Sequence, residues 1–174
     1  MHLKGILDED FINYKVPSMH IATSRCSFKC DKETGKQLCQ NSPLAAQKTI
    51  TIKNDDIIKR YLSNDITHAI VFAGLEPMDS FEEILSFIKC LRNKYKCEDD
   101  VVIYSGYREG EIEDKLVKLA EYKNIVIKFG RYLSNHDRHF DSVLGVYLAS
   151  PNQYAVRLYY KGDLYGESSI DATD

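Results

Sequence analysis

The sequence predicts an α/β fold with a mainly parallel sheet, and two observations carry that prediction. Short apolar, β-branched runs alternate along the chain with stripes of apolar residues at helical spacing, the pattern of βαβ units. No internal repeat, low-complexity tract or Pro/Gly/Ser-rich linker divides the 174 residues, so residues 1–174 read as one domain.

The elements follow in order. Residues 18–23 form a first strand with Met19 and Ile21 on one face. A helix starts at Asn54, a candidate N-cap, and runs through Ile57, Ile58, Tyr61 and Leu62. Residues 67–73 are continuously apolar, as in a strand covered on both faces. Ser80 and Glu83 offer a capping box for a helix carrying Ile84, Leu85, Phe87, Ile88 and Leu91. Residues 101–104 are a buried-type strand, and residues 109–122 a helix with Ile112, Leu116 and Leu119 inward. Residues 124–129 and 143–148 complete the strand series, and residues 154–160 add an edge strand. The polar tail, about residues 161–174, is expected to be loosely held.

Composition narrows the function classes. The 23 basic and 26 acidic residues leave a net charge of −3, which gives no nucleic-acid footprint. No apolar run approaches the ~20 residues of a membrane span. With Asp8, Glu9 and Asp10 close behind Met1, the N-terminus does not read as a signal peptide. A cytoplasmic location is the expectation, where clustered cysteines are reduced and serve as metal ligands or catalysts.

In parallel sheets, ligands bind beyond the carboxyl ends of the strands. The segments in those places are residues 24–39, 74–77, 105–107, 130–132 and 149–153, and they hold most of the chain's unusual residues. Cys26, Cys30 and Cys39 fall in the first, with spacing C-x3-C-x8-C. Zinc sites generally use close cysteine pairs and four protein ligands, which here would require His20 or His68 as the fourth. Three thiolates from one loop suit an iron–sulfur cluster better.

The motifs resemble a family. Cys26-Ser-Phe-Lys-Cys30 after a strand, followed by Cys39-Gln-Asn-Ser-Pro43, is similar to the loop of radical S-adenosylmethionine (radical SAM) enzymes. More narrowly, it resembles the activating proteins of anaerobic ribonucleotide reductase. Four segments match in order: Ala73-Gly74-Leu75-Glu76-Pro77 the Gly-Gly-Glu-Pro turn, Tyr104-Ser-Gly-Tyr107 a Tyr-Thr-Gly-Tyr segment, Lys128-Phe-Gly-Arg-Tyr132 a later Gly-containing turn, and Ser150-Pro-Asn-Gln153 a Ser-Ser-Asn-Gln segment. The chain departs from the family in three ways. The third cysteine comes six residues later than in C-x3-C-x2-C, Leu38 replaces the aromatic before it, and Leu75 replaces the second glycine.

The resemblance implies an incomplete parallel (β/α) barrel. It also implies a [4Fe–4S] cluster on Cys26, Cys30 and Cys39, with one iron left open for SAM. Reductive cleavage of SAM would yield a 5′-deoxyadenosyl radical that abstracts hydrogen from a glycine of a glycyl radical enzyme. That partner would be an anaerobic ribonucleotide reductase, with flavodoxin or ferredoxin as electron donor. Gly74, Leu75, Glu76 and Pro77 would face the methionine amine. Ser105 and Tyr107 could reach the ribose or carboxylate, and Lys128 could pair with the carboxylate. The charged insert at residues 31–38 reads as an exposed loop that recognises the partner. Two other readings stay open: radical SAM chemistry on another peptide or small molecule, and a non-catalytic cluster-binding protein. Cys90 and Cys97 read as structural thiols, His136 and His139 as part of a solvated loop, and Asn152 and Gln153 as loop residues or hydrogen-bonding amides.

Overall fold

The computed structural model describes residues 1–37, 39 and 41–164. Leu38, Gln40 and the expected tail from residue 165 onward lie outside the described residues. The elements are β1 (His2–Asp10), β2 (Ser18–Thr23), α1 (Lys29–Thr34), α2 (Ser42–Ala46), β3 (Ile50–Thr51), α3 (Asn54–Leu62), β4 (Ala69–Gly74), α4 (Phe81–Asn93), β5 (Asp100–Tyr104), α5 (Glu113–Leu119), β6 (Ile125–Phe129), β7 (His139–Asp141), β8 (Val146–Leu148) and β9 (Tyr154–Arg157). No helix among the described residues is long and apolar enough to cross a membrane.

Among the described residues, seven strands form one sheet in the order β3-β1-β2-β4-β5-β6-β9, and β7 and β8 pair separately. The central four, β2, β4, β5 and β6, are parallel, while β1 and β9 flank them antiparallel. The fold is therefore mixed α/β with a largely parallel sheet.

The two faces of that sheet differ. On one face, Ile21, Phe72, Ile103 and Ile127 pack with Ile57 and Tyr61 of α3 and Phe87 and Leu91 of α4. Phe72 meets Phe87 edge-on, with centroids 5.3 Å apart. The other face is built of smaller side chains, Ala69, Val71, Ala73, Val102 and Val126, and is partly covered by Tyr14, Leu144 and Leu148. The difference follows from alternation: successive strand residues point to opposite faces, so one parity packs against helices and the other is left shallow.

Several features differ from the sequence expectation: Lys53 and not Asn54 is the N-cap of α3, the 109–122 helix is a 3-10 turn followed by the shorter α5, and three further differences have a visible cause. Residues 143–148 do not form a strand of the main sheet. Buried Asp141 accepts the Val143 and Leu144 amides (3.0 and 2.9 Å), and Gly145 takes a positive φ of 73°, so only Val146–Leu148 is extended, paired with β7. The strand β1 precedes the expected first strand; its half-exposed pattern carries only a faint apolar signal, with Leu3 fully buried. The Ser80 capping box does not form: Ser80 makes no side-chain cap, and Glu83 accepts the His2 amide at 2.5 Å instead. A 3-10 turn over Pro77–Ser80 leads straight into α4, and its cap is Glu76, which accepts the Met78 amide.

The turn after β6 depends on Gly130, whose φ is +96°. A Cβ there would lie 2.5 Å from the Asn152 carbonyl oxygen, a backbone atom that cannot yield cheaply. Gly130→Ala should destabilise by about 2 kcal/mol or more and lower the melting temperature by roughly 4–8 °C, measured by calorimetry. An unchanged melting curve would show that the turn relaxes freely.

Candidate functional site

A cleft of about 520 Å³ opens at the carboxyl end of the parallel strands and continues along the small-residue face. That volume suits a small molecule or cofactor. All five strand-following segments contribute to it, the last through Gln153 alone. Although residues 143–148 are not a sheet strand, residues 149–153 still reach the edge because their side chains are tied to the β6 turn. Gln153 Nε2 donates to the Gly130 carbonyl (3.3 Å), and Asn152 Nδ2 to the Arg131 carbonyl (2.8 Å). Both amides therefore brace the turn.

Cys26, Cys30 and Cys39 all line the cleft as free, half-buried thiols. Cys26 follows β2 in a loop fastened to the β4 turn. The Glu76 amide donates to the Arg25 carbonyl (2.9 Å), and the Ser27 amide to Asp79 Oδ2 (2.5 Å). Phe28 then enters the left-handed region (φ 51°) and donates its amide to Cys26 Sγ at 3.3 Å. Burial pushes the Cys26 thiol up to about 11, and burial also raises Cys30, with help from neighbouring Cys39. Cys39 is anchored from both sides. Its amide donates to Asp31 Oδ1 (3.0 Å), while its carbonyl receives the Ser42 hydroxyl (2.8 Å). Asn41 Nδ2 closes this segment onto the Gly74 carbonyl (2.6 Å).

The turn after β4 is close-packed. Gly74 has φ +85°, and a Cβ there would meet Ala22 and Leu44 at 3.0 Å. Leu75 is buried but borders the cleft; Pro77 is buried behind it at the start of the 3-10 turn. Glu76, 9% exposed, joins three strand ends. Its Oε1 accepts the Met78 amide (3.0 Å) and the Ser105 hydroxyl (2.8 Å), and its Oε2 accepts the Gly106 amide (2.8 Å). Burial raises its carboxyl above the ordinary range despite these donors. Ser105 lines the cleft, but its hydroxyl is committed to Glu76 and in turn accepts the Tyr107 amide (3.0 Å). Tyr107 donates its own hydroxyl to Asp79 Oδ1 (2.6 Å).

Lys128 is 6% exposed, yet it borders the cleft and donates to one acceptor, the Gly130 carbonyl at 2.8 Å. Burial lowers its ammonium to about 8, a fall that the Glu76 carboxylate opposes. The cleft is therefore charged on one wall and sulfur-rich on another.

Sequence reasoning gave several residues here no role, and weighed His20 only as a zinc ligand. Arg131 is buried and held by both Glu111 oxygens (2.9 and 2.7 Å), which lowers the Glu111 carboxyl to about 2. Its Nη2 also lies 3.1 Å from Glu33 of α1. On the floor, His20 Nδ1 lies 3.2 Å from buried Asp10 Oδ2. A charged residue in a loop reads from sequence as solvated, so only the Lys-x-Gly-Arg segment hinted at Arg131. His68, the other candidate fourth ligand for zinc, is exposed and lies just before β4, at the end of the sheet opposite the thiols. Among the described residues, no three His, Cys, Asp or Glu side chains lie together as a single-ion site requires.

Three unpaired thiols in one cleft form a soft donor set that fits an iron–sulfur cluster. Residues 18–146 match a family model described as a 4Fe–4S single cluster domain. The chain belongs to that family. No curated protein and no solved structure gave a match. The matched span of this single-cluster domain takes in all three cysteines, the Glu76 turn and Lys128. Domains of this kind are typical of radical SAM glycyl radical activases.

Proposed function

We propose that this 4Fe–4S single cluster domain is a radical SAM enzyme that generates a glycyl radical on an anaerobic ribonucleotide reductase. The observation that carries the reading is that the three thiols and a buried ammonium, Lys128, border one cleft with the Glu76 turn. Cys26, Cys30 and Cys39 would hold the cluster by three thiolates, leaving one iron for SAM. When bound, the cluster supplies the electron that cleaves the SAM sulfonium to methionine and a 5′-deoxyadenosyl radical.

This chain's own residues bind and orient. Lys128 presents its ammonium to the methionine carboxylate. The backbone of Gly74, Leu75 and Glu76 offers polar groups to the methionine amine, with no Cβ at Gly74 in the way. Glu76 acts through the turn it fixes, and Ser105 through Glu76. The small side chains of Ala22 and Ala73 leave room in the cleft for a hydrogen donor. Flavodoxin or ferredoxin is the expected electron source.

The test is anaerobic reconstitution with iron and sulfide, reduction in the presence of SAM, and detection of 5′-deoxyadenosine by mass spectrometry. A glycyl radical signal in electron paramagnetic resonance (EPR) should then appear on mixing with an anaerobic ribonucleotide reductase from the same organism. A loaded cluster that never yields 5′-deoxyadenosine would support a non-catalytic binding protein instead.

Lys128 gives this reading a pH signature. Carboxylate binding needs the protonated amine, so SAM affinity should be full well below pH 8 and fall as pH rises through about 8. Lys128→Met should remove that dependence. It should also weaken binding by roughly ten- to a hundredfold, the loss of a charged hydrogen bond of about 1.5–3 kcal/mol. Equilibrium binding measured across pH 6.5–9.5 decides it; a flat wild-type profile would show that Lys128 does not meet the carboxylate.

A further inference from the structure

The eight residues between Cys30 and Cys39 look from composition like a solvated loop, and residues 32–37 are indeed exposed. The first of the eight behaves differently. Asp31 follows Cys30 within α1, and the chain then turns at Gly35 (φ 64°), where Thr34 Oγ1 lies within hydrogen-bond distance of the Cys30 and Lys36 carbonyls (3.0 and 3.2 Å). The segment thus doubles back. On its return, the Cys39 amide donates to Asp31 Oδ1 at 3.0 Å, and the same oxygen lies 3.9 Å from Cys30 Sγ. One carboxylate beside the second thiol therefore grips the backbone that carries the third. Two positions on, Glu33 reaches the buried Arg131, fastening the outer side of α1 to the β6 turn.

A long loop between two ligands carries an entropic penalty for holding its ends together, and that penalty grows with length. A hydrogen bond to a charged acceptor is among the stronger means of opposing it. We infer that Asp31 is the positioning residue that sets Cys39 for cluster binding, and that the insert is an internal brace for the third thiol. This rests on the three-cysteine cluster reading and assigns within it a role to a residue that binds no iron. Groups that orient metal ligands from behind typically contribute ten- to a hundredfold in metal affinity.

The full chain should be reconstituted anaerobically as wild type, Asp31→Ala and Asp31→Asn, with folding checked by circular dichroism. Iron and sulfide content, the EPR spectrum of the reduced cluster and the rate of iron loss to a chelator are then compared. Asp31→Ala should lose iron ten- to a hundredfold faster than wild type. Asp31→Asn keeps an oxygen acceptor for the Cys39 amide and should return to within about threefold of wild type. Wild-type chelator resistance and spectrum in Asp31→Ala would overturn the inference. So would an Asp31→Asn variant as labile as Asp31→Ala, because the acceptor would then not be what matters. A wild-type chain that takes up no cluster would overturn the three-cysteine reading and this inference with it, and is distinguished by failing before any variant is compared.

Discussion

Alanine at any one of Cys26, Cys30 or Cys39 is expected to abolish iron–sulfur incorporation, while alanine at Cys90 or Cys97 leaves it intact. Only the first three thiols border the cleft. Cys90 lies on α4 with its sulfur 4.0 Å from Asp55 Oδ1, and both Cys90 and Cys97 pack against the helix-covered core on the other face of the sheet. In the proposed arrangement, with three protein ligands and one open iron, no spare thiolate would take the place of a missing one. Reconstituted wild type should carry about four irons per chain and show sulfide-to-iron charge-transfer absorbance. Each of the three variants should show almost none. Retention of a full cluster by any of them would remove that cysteine from the ligand set, and tight stoichiometric zinc without a cluster would remove the cluster itself.

The second large effect is expected at Glu76. Its removal leaves the Met78 amide, the Gly106 amide and the Ser105 hydroxyl without their shared acceptor. A buried donor left unpaired costs about 1–3 kcal/mol. Local relaxation and water will satisfy part of the loss, so Glu76→Ala should destabilise by roughly 2–5 kcal/mol in all, lowering the melting temperature by roughly 5–15 °C. The same change withdraws the negative charge that supports the Lys128 ammonium. SAM affinity should therefore fall by about ten- to a hundredfold without loss of iron. Glu76→Gln restores one acceptor and should lie between. A folded Glu76→Ala variant with wild-type SAM affinity would leave the turn a purely structural element.

Much of this arrangement is legible in sequence because it rests on local rules. The apolar run at β4 and the parities of β5 and β6 announce strands buried on both faces, and the topological rule then gathers their trailing segments on one edge. The cysteines, Gly74, Glu76, Ser105 and Lys128 border the cleft in keeping with that rule. What escapes is set by competing partners, some of them distant in sequence. Strand β1 is held by pairing with β2 and by the N-terminal amine donating to the Ile52 carbonyl, and its own apolar pattern is weak. The Ser80 cap fails because Glu76, four residues upstream, already caps the 3-10 turn. The 143–148 run is apolar enough for a strand, but Asp141 bends it into a turn. Asp31 looks like a solvated charge until the Cys39 amide folds back onto it, and Glu33 and Glu111 look so until both meet Arg131.

The split between the two faces of the sheet has a consequence for how variation in this protein should be read. Along β6, Ile127 belongs to the helix-covered core while its neighbour Lys128 borders the cleft; along β2, Ile21 and Ala22 divide in the same way. Adjacent codons therefore answer to different selective pressures. In a saturation mutagenesis experiment scored for both abundance and activity, the carboxyl-terminal positions of the parallel strands should show a period of two. At those positions substitutions of one parity, as at Ile21 and Ile127, would deplete the protein, while those of the other, as at Ala22 and Lys128, would silence it. Nearer the strand starts Val71, Val102 and Val126 belong to the second buried cluster and would deplete it too. A screen scored for abundance alone would miss the cleft-facing strand ends, where the proposed chemistry lies.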